Sequence, residues 1–328
     1  MLVTLTVFGA AFFGSGLFMW DSIKSNTVCR YMECCEEKHV PFDLDKLRHS
    51  FSQKMFGQPL VSEIVNILGG HKTSLYDEKK RSKKALVLSL HGWSGVGKNY
   101  AATMIAEALF KKGMQSSFVK VLMGKKDFDC SNIQKAQAEL ISKVNEIVKK
   151  CPVSLIIFDE IHEMCPSILD AIKPMLDYHH AVDGVDYRNT IFIFISNIGG
   201  KEIATNLLDL YSQGIKRNEV DFHNFEPVIR RTAFSTGGFQ KSSTIAQHLI
   251  DHYIPFLPLE QHHVEMCALA EFRAHGIHNP TEEMMTDALS VITYGPTEEL
   301  PIFANNGCKR FTKQIPYIIQ KHKFKTEL

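Results

Sequence analysis

Short apolar runs alternate with stretches of helical periodicity through the middle of the chain. ALVLSL (85–90) is apolar except for Ser89, as expected of a strand buried on both faces. Lys98 to Lys111 then carries apolar residues at helical spacing. SFVKVLM (117–123) predicts a second strand, and SNIQKAQAELISKVNEIVKK (131–150) an amphipathic helix capped by Ser131 or Asn132. CPVSLIIFDE (151–160) delivers a third strand, PSILDAIKPMLDYH (166–179) a helix, TIFIFISN (190–197) a fourth strand, and KEIATNLLDLYSQG (201–214) a helix ended by Gly214. Upstream, residues 42–70 repeat apolar positions at helical spacing up to Gly69-Gly70, which are expected to end that helix. Alternating apolar strands and helices predict an α/β domain with a parallel sheet flanked by helices.

The pattern changes near residue 245. STIAQHLIDHY (243–253), EQHHVEMCALAEFRAHG (260–276) and TEEMMTDALSVITY (281–294) all read as helices, with IPFLPLE (254–260) as a proline-punctuated break. The expected organisation is an apolar segment at 1–20, a polar segment with a helix and linker at 21–84, a large domain at 85–244 and a small helical domain at 245–328.

Both ends carry targeting signals. MLVTLTVFGAAFFGSGLFMW has no charge before Asp21, so it fits the apolar part of a signal peptide or an uncleaved membrane anchor, with a buried helix as the alternative. The last four residues, KTEL, differ from the luminal retrieval signal only at Thr326. Together they predict the lumen of the endoplasmic reticulum.

A formal net charge of +1 in 328 residues, with its densest basic run (Lys79, Lys80, Arg81, Lys83, Lys84) in a linker, argues against a nucleic-acid surface. Eight cysteines make no C-x-x-C pair. The adjacent pairs His179-His180 and His262-His263 show no converging ligands in the sequence, so no zinc site is expected.

Candidate chemistry lies between the first strand and the following helix. Gly92-Trp93-Ser94-Gly95-Val96-Gly97-Lys98 follows a strand and opens a helix, the context a phosphate-binding loop requires. Residues Gly92 to Lys98, with Asn99 and Tyr100, form the predicted nucleotide-binding set. Asn99 stands where a hydroxyl ligand of Mg²⁺ is usual; its carbonyl oxygen is also a hard ligand, so ATP and Mg²⁺ binding should survive with altered geometry. The third strand ends in Asp159 and Glu160, placed to hold Mg²⁺ and to orient or deprotonate the attacking water. Asn197, after the fourth strand, is placed to touch the γ-phosphate or that water. No G-x-S-x-G elbow exists for a hydrolase reading of His91-Gly92.

These segments resemble one family. GWSGVGKN with Asn99 after the lysine, FDE, DAIKPMLDYHHAVDGVDYRN, FIFISN, IDHYIPFLPLE and Gly307-Cys308-Lys309 are similar to the torsins over about residues 33–316. The resemblance implies an AAA+ P-loop NTPase with a small C-terminal helical lid. Lys98 and Asn99 then belong to Walker A, Asp159 and Glu160 to Walker B, Asn197 is sensor 1, and Lys309 is sensor 2 reaching the γ-phosphate. It also implies a Cys267–Cys308 disulfide beside Lys309, localisation in the endoplasmic reticulum and nuclear envelope lumen, membrane association and a homo- or hetero-oligomer. Torsins lack a usual arginine finger; the resemblance implies that a membrane-spanning activator of the lamina-associated-polypeptide type supplies one through its luminal domain. No role is assigned here to Arg217, Arg230, Arg231, Arg273 or Arg310. The expected function is an activator-dependent ATPase that remodels proteins or membranes. The alternatives are a nucleotide-gated binding module and a Clp-type unfoldase, whose pore loop would have Phe128, in MGKKDFDCS, as its one aromatic.

Overall fold

The computed structural model describes residues 29–76, 81–165, 167–235, 239, 249–297 and 300–326. The apolar segment at 1–20, Lys79 and Lys80 of the basic run, and the last two residues of KTEL lie outside them. In chain order the main elements are α1 (Leu44–Lys54), α2 (Val61–Tyr76), β1 (Leu86–His91), α3 (Lys98–Leu109), β2 (Val119–Met123) and α4 (Ile133–Lys150). They continue with β3 (Leu155–Asp159), β4 (Ile191–Ser196), α5 (Gly200–Ser212), α6 (Glu226–Ser235) and β5 (His252–Pro255). The C-terminal part comprises α7 (Gln261–Ala274), α8 (Glu282–Leu289), β6 (Tyr294–Thr297), β7 (Leu300–Ala304) and α9 (Phe311–Thr326).

Five parallel strands form one sheet in the order β2-β3-β4-β1-β5. β1 and β4 are buried along their whole length. Their side chains alternate between two cores: Leu86, Leu88, Leu90, Ile191, Ile193 and Ile195 join one, Val87, Phe192 and Phe194 the other, as the two-residue period of a strand requires. Both faces are therefore covered, and the continuous apolar runs follow from that. Ser89 and His91 are the polar residues of β1, and they satisfy each other through Ser89 Oγ and His91 Nε2 at 2.7 Å.

The structure departs from the sequence-based expectation in four places. Gly69 and Gly70 do not end α2, which runs on to Tyr76. A Cβ at Gly69 would make only ordinary contact with Leu44 Cδ1 at 3.6 Å and one at Gly70 would meet nothing within 4 Å, so neither glycine is needed for packing; the helix bears their modest cost because Ile64, Val65 and Leu68 bury its inner face. The helix expected at 166–179 is a 3₁₀ turn at Leu169–Ile172 followed by one α turn at Lys173–Leu176, because Pro174 lacks the N–H that would tie a longer helix together. His252–Pro255, read as the end of a helix and the start of a break, is strand β5 on the edge of the main sheet. The large sheet thus extends past the boundary expected at 245. The C-terminal part also holds the β6–β7 hairpin among its helices, with Tyr294 on a strand rather than at the end of the preceding helix.

All eight cysteines are paired: Cys29–Cys34, Cys35–Cys151, Cys130–Cys165 and Cys267–Cys308. Among the described residues no helix is long and apolar enough to cross a membrane.

Candidate functional site

The C-terminal ends of β1, β3 and β4 and the N-terminus of α3 meet at one cavity of about 680 Å³. Its floor is the loop after β1. Gly95 and Gly97 have φ values of 79° and 105°, in the left-handed region that favours glycine. A Cβ at Gly92 would lie 2.4 Å from Phe256 O, so β5 leaves no room for any other residue there.

Lys98 is 5% exposed. Its ammonium donates to Gly92 O and Trp93 O at 2.7 Å each and to Asn197 Oδ1 at 2.9 Å. All three acceptors are neutral. Burial pushes the amine down to about 7; the Asp159 carboxylate opposes this and Lys309 adds to it. A buried ammonium with neutral partners lacks an anion, and a glycine loop at a helix N-terminus is built to accept phosphate oxygens. The residues present therefore fit a polyphosphate.

The carboxylate side is also assembled. Asn99 Nδ2 donates to Asp159 Oδ2 at 2.6 Å, and the Glu160 N–H donates to Asp159 Oδ1 at 2.9 Å. Both oxygens of Asp159 thus have donors, which fits Mg²⁺ held through water. Glu160 is exposed to the cavity at φ 52°. Asn197 bridges Lys98 and His162, whose Nε2 lies 3.4 Å from Asn197 Nδ2. Behind them His91 is fully buried, faces Ile198 O at 3.0 Å through Nδ1, and is pushed down to about 4 by that burial. It is a neutral imidazole joining the loop after β1 to the loop after β4.

The opposite wall belongs to the C-terminal part. Gly95 and Gly307 meet backbone to backbone: Cys308 N–H donates to Gly95 O at 3.1 Å, and a Cβ at Gly307 would lie 2.3 Å from that oxygen. Cys308, Lys309 and the disulfide partner Cys267 line the cavity together with Ser94 to Tyr100, Asp159, Glu160 and Asn197. Gly92 and Trp93 do not line it; they contribute carbonyls to Lys98, and Trp93 packs against Gly200 instead.

Two residues given no role in the sequence reading, Gln58 and Arg217, brace segments next to the cavity. Gln58 is buried; its amide donates to Val96 O at 3.1 Å and Leu257 O at 2.8 Å and accepts from Leu257 N at 2.9 Å. Arg217 donates to Gly57 O, Pro258 O and Glu260 Oε1, the closest at 2.6 Å. The signal was a polar Gln within the apolar FGQPL, which must find partners if buried. Arg217 is thus engaged entirely inside its own chain.

Two expectations are corrected here. Phe128 is not a pore-loop aromatic: it is 3% exposed, packed in the core under Lys143. The His262-His263 pair does have converging groups, since Glu260, His262 and His263 offer ligand atoms within 4.8 Å of one another. Glu260 is, however, committed to Arg217 and to Tyr211 Oη.

Two sequence profiles match the chain: Torsin over residues 29–158, and Torsin-1A, C-terminal domain, over residues 259–318. A Torsin-like protein of Drosophila melanogaster is 36% identical over 303 residues, covering 90% of this chain and 87% of that protein. One of Caenorhabditis elegans is 37% identical over 311 residues, covering 94% and 84%. Among solved structures, the S. cerevisiae Hsp104–ADP complex superposes with a TM-score of 0.58 at 16% identity, over 86% of this chain and 48% of that one. This last likeness is one of fold: the parallel-sheet α/β architecture matches about half of the Hsp104 chain.

Proposed function

The chain belongs to the torsin family of AAA+ ATPases, and from that premise we propose that it binds ATP with Mg²⁺ and hydrolyses it when a second protein completes the site. The observation that carries this reading is Lys98, a buried amine among neutral acceptors beside Asp159, Glu160 and Asn197. Phosphate oxygens give Lys98 its missing anion. When bound, Mg²⁺ neutralises charge on the β- and γ-phosphates. Asp159, steadied by Asn99, would be the carboxylate to hold it through water. Glu160 orients the attacking water and takes its proton. Asn197, fixed by Lys98 and His162, and Lys309, carried on the wall opposite, would be the groups to hold the γ-phosphate.

An arginine finger is worth ~10³-fold or more in rate. Arg217 is consumed within its own chain and Arg310 donates to Val291 O at 2.9 Å. These engagements take two of the chain's arginines out of that role and support a finger supplied by a membrane-spanning activator of the lamina-associated-polypeptide type or by the other subunit of a hetero-oligomer; in a homo-oligomer it would fall to Arg230, Arg231 or Arg273. Complete cysteine pairing fits an oxidising compartment and supports the lumen of the endoplasmic reticulum and nuclear envelope. The work done there is remodelling of proteins or membranes.

A second reading, a nucleotide-gated binding module with little hydrolysis, is favoured by one contact: the Asn99–Asp159 hydrogen bond engages the metal-facing carboxylate. ATP turnover by the full chain, alone and with the luminal domain of such an activator, separates the two. Turnover in the mixture that drops ~10²-fold or more in Glu160→Gln supports the ATPase. No turnover in either, with ATP still bound and partner affinity raised by it, supports the module. Turnover by the chain alone would place the finger on one of its own arginines.

A further inference from the structure

The loop carrying Glu160 rests on a platform outside the nucleotide cavity. Glu160 is a non-glycine residue at φ 52°, a conformation that persists only where its surroundings hold it. Its carbonyl accepts from Glu163 N at 2.8 Å. Gly124, the first residue of the helical turn Gly124–Asp127, lies directly beneath: a Cβ there would sit 2.8 Å from Glu160 O and 3.1 Å from Glu163 Cβ. That turn is itself fastened, since Asp127 Oδ2 accepts from Met123 N at 2.7 Å. A few residues beyond, the two loops are joined covalently by Cys130–Cys165. Cys130 is exposed, whereas Cys165 is 7% exposed.

We propose that the Cys130–Cys165 disulfide is a thiol–disulfide exchange site that holds Glu160 in position for catalysis, separate from the Cys267–Cys308 pair beside Lys309. A thiolate of a dithiol reductant attacks the accessible Cys130 Sγ. The S–S bond breaks, and Cys165 leaves as a thiolate and takes up a proton. The reductant's second thiol loses its proton and displaces Cys130, which is protonated in turn. The reductant ends as its own disulfide, having given two electrons to the protein. The loop at 128–132 then parts from residues 161–165, and the strained backbone of Glu160 relaxes. The control of turnover rests on the role proposed above for Glu160; the control of loop order does not.

The test uses the full chain in which Cys130→Ser and Cys165→Ser are combined, leaving the other three pairs intact. It also uses wild type treated with dithiothreitol, with alkylation at Cys130 and Cys165 read by mass spectrometry. Amide hydrogen exchange over 158–165 is expected to quicken by about tenfold or more in the double variant, while the rest of the sheet is unchanged. With activator, kcat is expected to fall by about fivefold or more at an ATP affinity within about twofold of wild type. Gly124→Ala, which keeps every cysteine but pushes on Glu160 O, should show the same split between kcat and affinity. Unchanged exchange at 158–165 overturns the proposal whatever the turnover. Quickened exchange with unchanged kcat, or a uniform rise in exchange with a lower unfolding midpoint, also overturns it and leaves a structural bridge. Resistance of Cys130–Cys165 to dithiothreitol under conditions that open Cys267–Cys308 rejects the exchange site. Absence of wild-type turnover with any activator would count against the ATPase reading, with the exchange data still deciding whether the clamp exists.

Discussion

Protonation of Lys98 makes nucleotide binding a proton-linked event. Its amine stands near 7 because burial disfavours the ammonium and the three acceptors are neutral. Phosphate oxygens a few ångström away would return it toward its ordinary value near 10.4. At pH 6 the free site is already about nine-tenths protonated, so binding takes up roughly 0.1 proton; at pH 8 it is about one-tenth protonated, and uptake rises to roughly 0.9. The sign follows from linkage: the bound state holds more protons above pH 7, so affinity falls as pH rises, approaching tenfold per pH unit between about 8 and 9. Calorimetric titration of ATP in buffers of different ionisation enthalpy, at pH 6, 7 and 8, measures the uptake directly. Lys98→Arg is the control, since a guanidinium does not titrate in this range, and its uptake should vanish. A histidine source would give its largest uptake nearer pH 6 to 7. Buffer-independent heats at pH 8 in the wild-type protein would refute the argument that Lys98 waits without an anion.

Two further substitutions probe the walls of the cavity. Gly307→Ala introduces a Cβ 2.3 Å from Gly95 O at φ 50°; a left-handed alanine costs ~1–2 kcal/mol and the strained Cys308–Gly95 hydrogen bond ~1 kcal/mol, so chemical denaturation should show a stability loss of about 2–3 kcal/mol, and an unchanged midpoint would refute the tight Gly95–Gly307 contact. Phe128→Ala should lower stability by ~3–5 kcal/mol in chemical denaturation, as a truncated core phenylalanine does; a loss below ~1 kcal/mol with turnover abolished would instead restore the threading reading.

Much of the site was legible because it is local. A phosphate loop needs glycines and a lysine within a few residues, between a buried strand and a helix. The acidic pair and Asn197 sit where apolar runs stop, so spacing alone placed them. The same locality located β1 to β4, whose buried faces demand uninterrupted apolar residues. β5 escaped notice because HYIP is four residues long and carries a histidine and a proline; only the open edge of β1 makes it a strand. α2 passes through Gly69 and Gly70 because its face carrying Ile64, Val65 and Leu68 is buried in the core, a burial no window of sequence contains.

The chain by itself determined which side chains carry the candidate chemistry of the cavity, since that chemistry is set by side-chain type and by where each strand ends. Tertiary structure alone decided how they are held. Gly95 against Gly307, Gln58 across Val96 and Leu257, Arg217 across Gly57 and Pro258, and Gly124 beneath Glu160 are pairings between segments far apart in the chain. Each exists because a backbone group removed from water must find a partner or a neighbour with no side chain, and only the folded arrangement determines which neighbour is near enough.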